Sequence, residues 1–234
     1  MIMPAPFYPG KQNYNKTENT KLSRSEFIDA LTELGKARYH SLHPFHRLLH
    51  NGKLSFEQVQ AWALNRFYYQ WSIPRKDLTL MARISDVNLR LEWRSRVIDH
   101  EGDLDGSGGL KRYLQLCETL KLDLDYVKSC KGVLPGTRFA VDAYVSFVRE
   151  KSLLEGIASS LTEIYAPAIH KERIAGLAKH YSWANDYALA YFKRRINQAR
   201  RDVEFGREWV IDNAITRSDQ DAVLNAVKFK TEVL

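Results

Sequence analysis

The stretch SFEQVQAWALNRFYYQW, residues 55–71, decides the fold class. Ser55 followed three residues later by Gln58 is a capping box, in which each side chain serves a backbone N–H that the first helical turn leaves free. A helix therefore opens here. Pro74 is expected to end or kink it, because its ring removes a donor and clashes with the preceding turn. On that helix Arg66 and Gln70 stand four apart and share a face, and Tyr69 lies on the same side as Trp62. A cation, an amide and aromatic rings facing one way suit two roles. They could form the solvated edge of an amphipathic helix, or the wall of a pocket for a flat, acidic molecule.

The same helical punctuation continues on both sides. Ser23 and Glu26 form another capping box, after which Phe27, Leu31 and Leu34 recur at helical spacing. HPFHRLLHNG reads as a short helix stopped at Asn51-Gly52, and Pro74 suits the first turn of a further helix through KDLTLMARI. Asp86 caps NLRLEWRSRVIDHEG, and DGSGG at 105–109 is a loop. LKRYLQLCETL is helical, followed by the less regular DLDYVKSCKGVLPG. Three more helical stretches run through TRFAVDAYVSFVRE, SLLEGIASSLTEIYAPAIHKERIAGLAKHY and YALAYFKRRINQ, and the chain ends in DVEFGREWVIDNA and SDQDAVLNAVKFKTEVL. No segment alternates long enough to argue a strand. The expectation is an all-α bundle of about seven to eight helices. It forms one all-helical domain over 23–234, preceded by a disordered tail over 1–22 rich in Pro, Asn, Lys and Thr.

A chain of 234 residues, 44% hydrophobic and 27% charged, has the make-up of a soluble globular protein that buries its core without staples. Cys117 and Cys130 are too few for a disulfide framework, which points to a reducing, cytoplasmic setting. No apolar run approaches the roughly 20 residues that span a bilayer, and the N-terminus has no apolar signal core, so no membrane partner is expected. The net charge of +7 favours an anionic partner. The basic runs Lys193–Arg195 and Arg200–Arg201 are short and lie on amphipathic helices, so a small polyanion held in a pocket fits better than nucleic acid.

Several constellations carry possible chemistry. His40, His43, His46 and His50 cluster in YHSLHPFHRLLH; His46 and His50 could clamp a metal, but histidines packing and capping around Pro44 explain them more simply. A di-iron bundle needs Glu-x-x-His on facing helices, and the chain contains none. Glu163 and His170 lie two turns apart with Pro167 between them, where a missing N–H would free the Glu163 carbonyl and bend the helix. Arg96 with His100, and Tyr191 with Arg195, recur at one-turn spacing, although Glu92 could make Arg96 a plain surface ion pair. Lys230 falls on the apolar stripe of Val223, Val227 and Leu234, so it must meet an anion from the protein or a ligand. No dinucleotide fingerprint, P-loop or nucleophile elbow is present. From residues alone, an enzyme and a small-molecule binding module both remain open.

Six segments in order, YHxxHPFHxxLHNG, ALNRFYYQxxIPxKD, RVIDHEGD, LPGTRFAVDAYVSFV, ASSLTExYAPxIHxER and QARRDVEFG, closely resemble the pyrroloquinoline-quinone (PQQ) synthase family from about Leu31 to the last residue. The resemblance implies a haem-oxygenase-like, TenA-like all-α fold and a homodimer. It implies ring closure and O2-dependent, multi-electron oxidation of a tricarboxylated dioxo-hexahydroquinoline precursor (AHQQ) to PQQ, with release of H2O2. O2 is then a co-substrate, PQQ the product, and neither metal nor organic cofactor is required; a PQQ carrier protein is a further expected partner. By the same resemblance Tyr39, His40, Arg66, Tyr69, Gln70, Lys76, Arg96, Tyr144, Arg173 and Lys230 hold the substrate. His100 moves protons, Glu163 is a further pocket acid, and His170, Tyr191 and Arg195 serve oxygen. Leu104 departs from the polar residue usual in the loop after His100, and the family pattern continues past Leu234, which leaves closure of the pocket open at those two places. The competing readings are a di-metal oxidase of the same fold, disfavoured by Arg195 at a ligand-like position, and a non-catalytic carrier of PQQ or its precursor.

Overall fold

The computed structural model describes residues 20–104 and 106–234, without the side chains of residues 200, 202 and 203. The tail expected over 1–22 therefore lies outside the described residues as far as residue 19. The described residues form helices α1 (Arg24–Arg38), α2 (Pro44–His50), α3 (Phe56–Met81), α4 (Val87–Glu101), α5 (Gly109–Thr119), α6 (Leu124–Ser129), α7 (Pro135–Glu150), α8 (Leu153–Ser159), α9 (Ala166–His180), α10 (Asp186–Asn213) and α11 (Arg217–Glu232). Short 3₁₀ segments at His40–Leu42 and Ser160–Tyr165 complete them, and no strand occurs among the described residues. The all-α class is as expected, but the helices outnumber the seven to eight read from periodicity, because short connecting pieces such as α6 form full turns.

The caps hold where the sequence puts them. Ser23 and Ser55 accept from the N–H groups of Glu26 and Gln58 and are answered by those side chains, and the Asp86 carboxylate takes the Leu89 N–H at 2.7 Å. His43, read as a packing or capping histidine, does cap: its Nδ1 accepts the Phe45 N–H at 3.1 Å and starts α2.

Three boundaries differ from expectation. Helix α3 runs unbroken through Pro74. Its missing N–H leaves the Gln70 carbonyl without a helical donor, a penalty of about 3 kcal/mol. Burial of Ile73, Pro74 and Leu80 on the following turns offsets it, at about 1.5–3 kcal/mol for each fully buried large apolar side chain. The stretch 153–180 divides instead into α8, the 3₁₀ turn and α9. Pro167 again explains the break: the Glu163 carbonyl accepts the Ala166 N–H, the tighter i+3 pattern, since residue 167 has none to give. Finally, YALAYFKRRINQ and DVEFGREWVIDNA belong to one helix, α10.

Two cores result. One gathers Leu49, Val59, Phe67, Tyr113, Leu116, Leu177 and Phe192 from α2, the first half of α3, α5, α9 and the first half of α10. The other gathers Phe27, Leu80, Trp93, Val148, Ile157, Val210 and Val227 from α1, the second half of α3, α4, α7, α8, the end of α10 and α11. The long helices α3 and α10 thus pass through both cores, and their middle turns, around Gln70 and Tyr191, lie between them. Cys117 and Cys130 are buried free thiols. Among the described residues no helix is long and apolar enough to cross a membrane.

Candidate active site

Between the two cores is a narrow cavity. Its wall includes Arg66, Tyr69 and Gln70 from α3, His100 from the end of α4, Glu163 from the 3₁₀ turn, His170 from α9, and Tyr191 and Arg195 from α10, with Tyr39 and His40 at one end. The sequence-predicted residues Lys76, Arg96, Tyr144, Arg173 and Lys230 do not line it. All five are nonetheless buried. Lys230 Nζ lies 4.3 Å from the centre of the Tyr69 ring and 3.8 Å from that of Tyr144. Arg173 donates from Nη2 to His46 Nδ1 at 3.3 Å and lies over the Trp62 and Phe192 rings. Lys76 is engaged by Asp77 at 2.5 Å and by Ser160 Oγ at 3.2 Å, on the same carboxylate oxygen that lies 3.7 Å from Arg96 Nε.

Buried donors without a protein acceptor dominate this region. Gln70 turns Oε1 to the Tyr191 hydroxyl, which donates to it, and leaves Nε2 unpaired. Arg66 Nε, Arg173 Nε and Nη1, and Lys230 Nζ are also unsatisfied. Each such group costs about 1–3 kcal/mol, more when charged, and native interiors rarely leave several together. The carboxylates among these cations are Asp77 and Glu163. Burial alone would push the Glu163 carboxyl up, but Arg195, donating to it at 2.7 Å, together with Arg96 and His100, holds it down to about 2. The region is thus an anion site whose positive charge exceeds what its own acids neutralise.

The histidines are held neutral. Burial, then Arg195, lowers His100 to about 4, against the support of the Arg96 carbonyl and Asp77. Burial, then Arg173, Arg66 and Arg195, takes His170 well below its usual range. His40 is pushed down by burial, His46, Arg66, Arg173 and Lys230, and both its ring nitrogens are buried and unpaired. His46 is lowered to about 2 by burial and Arg173, so the side chain read as half of a possible metal clamp is instead a neutral acceptor for a guanidinium. Among the described residues no three His, Cys, Asp or Glu side chains gather as a metal set.

Sequence reasoning missed Ile73, Thr162, Ala166, Ile169 and Leu234, which also line the cavity. Spacing could have found Ile73, seven residues after Arg66 on the face of Gln70. Asp77, buried beside Lys76, drew no reading from the sequence.

An all-helical bundle that encloses a cationic, aromatic, imidazole-lined cavity defines a small-molecule site of the kind that helix bundles build between facing helices. The comparisons narrow the class. Residues 28–234 match the TENA/THI-4/PQQC family, and the chain belongs to that family. It is 55% identical over 215 residues, 92% of this chain and 84% of the other, to a pyrroloquinoline-quinone synthase from Rhizobium meliloti (strain 1021). Solved structures share its fold at low identity. A TenA homologue from P. horikoshii OT3 superposes with a TM-score of 0.70 at 15% identity, covering 88% of this chain and 93% of that one. A domain with a heme oxygenase-like fold from Shewanella denitrificans OS217 gives 0.68 at 13% identity, covering 92% and 89%.

Proposed function

We propose that the protein is a pyrroloquinoline-quinone synthase, acting in the final stage of PQQ biosynthesis. The observation that carries this reading is the set of buried, unpaired donors, Arg66 Nε, Gln70 Nε2, Arg173 Nη1 and Lys230 Nζ, gathered around aromatic side chains. A flat tricarboxylate supplies the acceptors these groups lack, and guanidinium–carboxylate pairing fixes its orientation. Of these donors Arg66 and Gln70 line the cavity with His100, Glu163, His170, Tyr191 and Arg195, while Arg173 and Lys230 are buried outside its lining.

In this reading His100 Nε2, unpaired and facing the cavity, takes protons released as the ring closes and is oxidised. Electrons pass from the substrate to O2, each O2 taking two electrons and two protons to leave as H2O2. Arg195, Tyr191 and His170 stabilise the negative charge that develops on oxygen. No metal or organic cofactor is needed, because the electrons come from the substrate. The enzyme works as a cytoplasmic homodimer and hands PQQ to a carrier protein.

Purified protein mixed with the precursor and O2 in a single turnover should yield PQQ absorbance and H2O2, before and after exhaustive chelation. Loss of turnover on chelation with recovery on iron addition would favour a di-metal oxidase. Tight binding of PQQ without any turnover would favour a carrier.

A further inference from the structure

Asp77 is completely buried, and the reaction proposed above does not use it. Its Oδ1 accepts from Lys76 Nζ at 2.5 Å and from Trp93 Nε1 at 2.8 Å, and lies 3.7 Å from Arg96 Nε, while Oδ2 has no hydrogen-bond partner. As a stability device this is poor, since apolar residues in place of a buried ion pair are commonly as stable or more so. Its neighbours suggest another use. One helix away, the backbone carbonyl of Arg96 lies 3.0 Å from His100 Nδ1. A carbonyl only accepts, so Nδ1 carries the proton of the neutral ring and Nε2 carries the lone pair. His100 is completely buried apart from 1% of its surface, and Nε2 has no protein partner where the ring meets the cavity.

We propose that Asp77 is a positioning residue for proton transfer: through Arg96 it fixes His100 in the Nδ1–H form, with Nε2 presented to substrate as the accepting atom. In the step served, a substrate C–H or N–H bond breaks, its electron pair stays on the substrate, and the proton forms the Nε2–H bond. The ring becomes an imidazolium with both nitrogens protonated. The groups facing it are Arg96 on its own helix, Asp77 on α3, Glu163 on the 3₁₀ turn, and Tyr191 and Arg195 on α10. The two arginines oppose that new charge, and the carboxylates of Asp77 and Glu163 favour it. Glu163 is engaged by Arg195, whereas Asp77 meets the side chain of Arg96, the residue whose carbonyl holds the ring. This inference rests on the synthase reading.

Long-range ¹H–¹⁵N spectra of the histidine-labelled protein report the tautomer of each ring, assigned for His100 by its loss in His100→Gln. The wild-type ring should be the Nδ1–H form, and an Nε2–H form in the wild type would overturn the proposal whatever the variants do. Asp77→Asn keeps the shape and an acceptor for Trp93 but removes the charge. It should lower kcat at least about tenfold, the scale of a weakened general base, with a smaller change in KM. It should also shift the acid limb of the kcat profile to lower pH and mix the tautomers, and Asp77→Glu should recover part of kcat. Unchanged kcat, pH profile and tautomer in Asp77→Asn, with altered stability alone, would reduce Asp77 to a packing ion. If the wild type neither binds PQQ nor turns over precursor, the synthase reading itself fails, a result distinct from an active wild type matched by an equally active Asp77→Asn.

Discussion

Replacing Lys230 by methionine separates what this residue costs the fold from what it gives the site. Its ammonium group is 1% exposed and has no hydrogen-bond acceptor, with the rings of Tyr69 and Tyr144 as its nearest compensation. Substituting well-packed apolar groups for buried charges commonly gains up to about 4 kcal/mol. Loss of two ring contacts returns about 2 kcal/mol of that. The Lys230→Met protein should therefore be more stable by about 1–2 kcal/mol, which for a chain of this size raises Tm by roughly 2–8 °C. The pH dependence gives a second signature. Burial, then Lys76 and Arg66 against Glu163, lowers the Lys230 pKa well below its usual value, so between the folded and the unfolded pKa the unfolded chain binds the extra proton. Stability then rises with pH across that window, and the penalty is fully present below it. Methionine cannot titrate, so the variant should lose that slope. PQQ affinity should move the other way, weakening by about 2–5 kcal/mol if a ligand carboxylate meets the ammonium. Urea denaturation from neutral pH to pH 10, with titration of PQQ into both proteins, makes the comparison. A variant less stable than the wild type, with a parallel stability–pH curve and unchanged PQQ affinity, would refute the reasoning.

Arg66→Ala should weaken PQQ binding by at least about tenfold at low salt, since a cation paired with a carboxylate in a closed site is worth about 2–5 kcal/mol; unchanged affinity would make Arg66 a solvated helix residue. Tyr191→Phe and Arg195→Ser should bind substrate and pass through anaerobic steps but stall at oxidation, so an absorbing intermediate accumulates in stopped-flow traces, whereas His100→Ala should alter the acid side of the pH profile instead. Identical traces and profiles for both groups would merge their roles. Gly35→Ala should destabilise the fold by about 1–3 kcal/mol, the usual cost of overpacking, because a Cβ there would fall 1.7 Å from Tyr165 Cζ; thermal denaturation reads it, and an unchanged Tm would mean that the ring moves freely aside.

How much of this was legible before the structure varies by element. Caps are local chemistry, so Ser23, Ser55 and Asp86 marked true helix starts. Pro74 misled for the opposite reason: its local penalty is real, but the contacts that outweigh it come from distant helices. Pro167 was read as bending one helix, but the chain breaks there instead, tightening into a 3₁₀ turn that needs no N–H from the proline. Within the site, Arg66 and Gln70 declared themselves by sharing a face, and Lys230 by interrupting an apolar stripe. Asp77 did not, since its importance lies in what it touches on another helix. Leu104, noted as unusual in its loop, is fully exposed and leaves the cavity untouched.

The first and last helices are joined by a small clasp. The Gln220 side chain accepts the Leu22 N–H at 2.8 Å and donates to the Leu22 carbonyl at 3.0 Å, across a sequence separation of 198 residues. Helix α11, which carries Lys230, therefore leans on α1 from nearly the other end of the chain. In equilibrium terms so long a loop is inexpensive, because closure entropy grows only with the logarithm of length, about 0.6 kcal/mol per doubling. In kinetic terms it is not, since contacts between remote segments slow the search for the native arrangement. The wall that bears Lys230 should accordingly be among the last parts of the molecule to consolidate during refolding, and competence to bind PQQ should lag behind the recovery of helix.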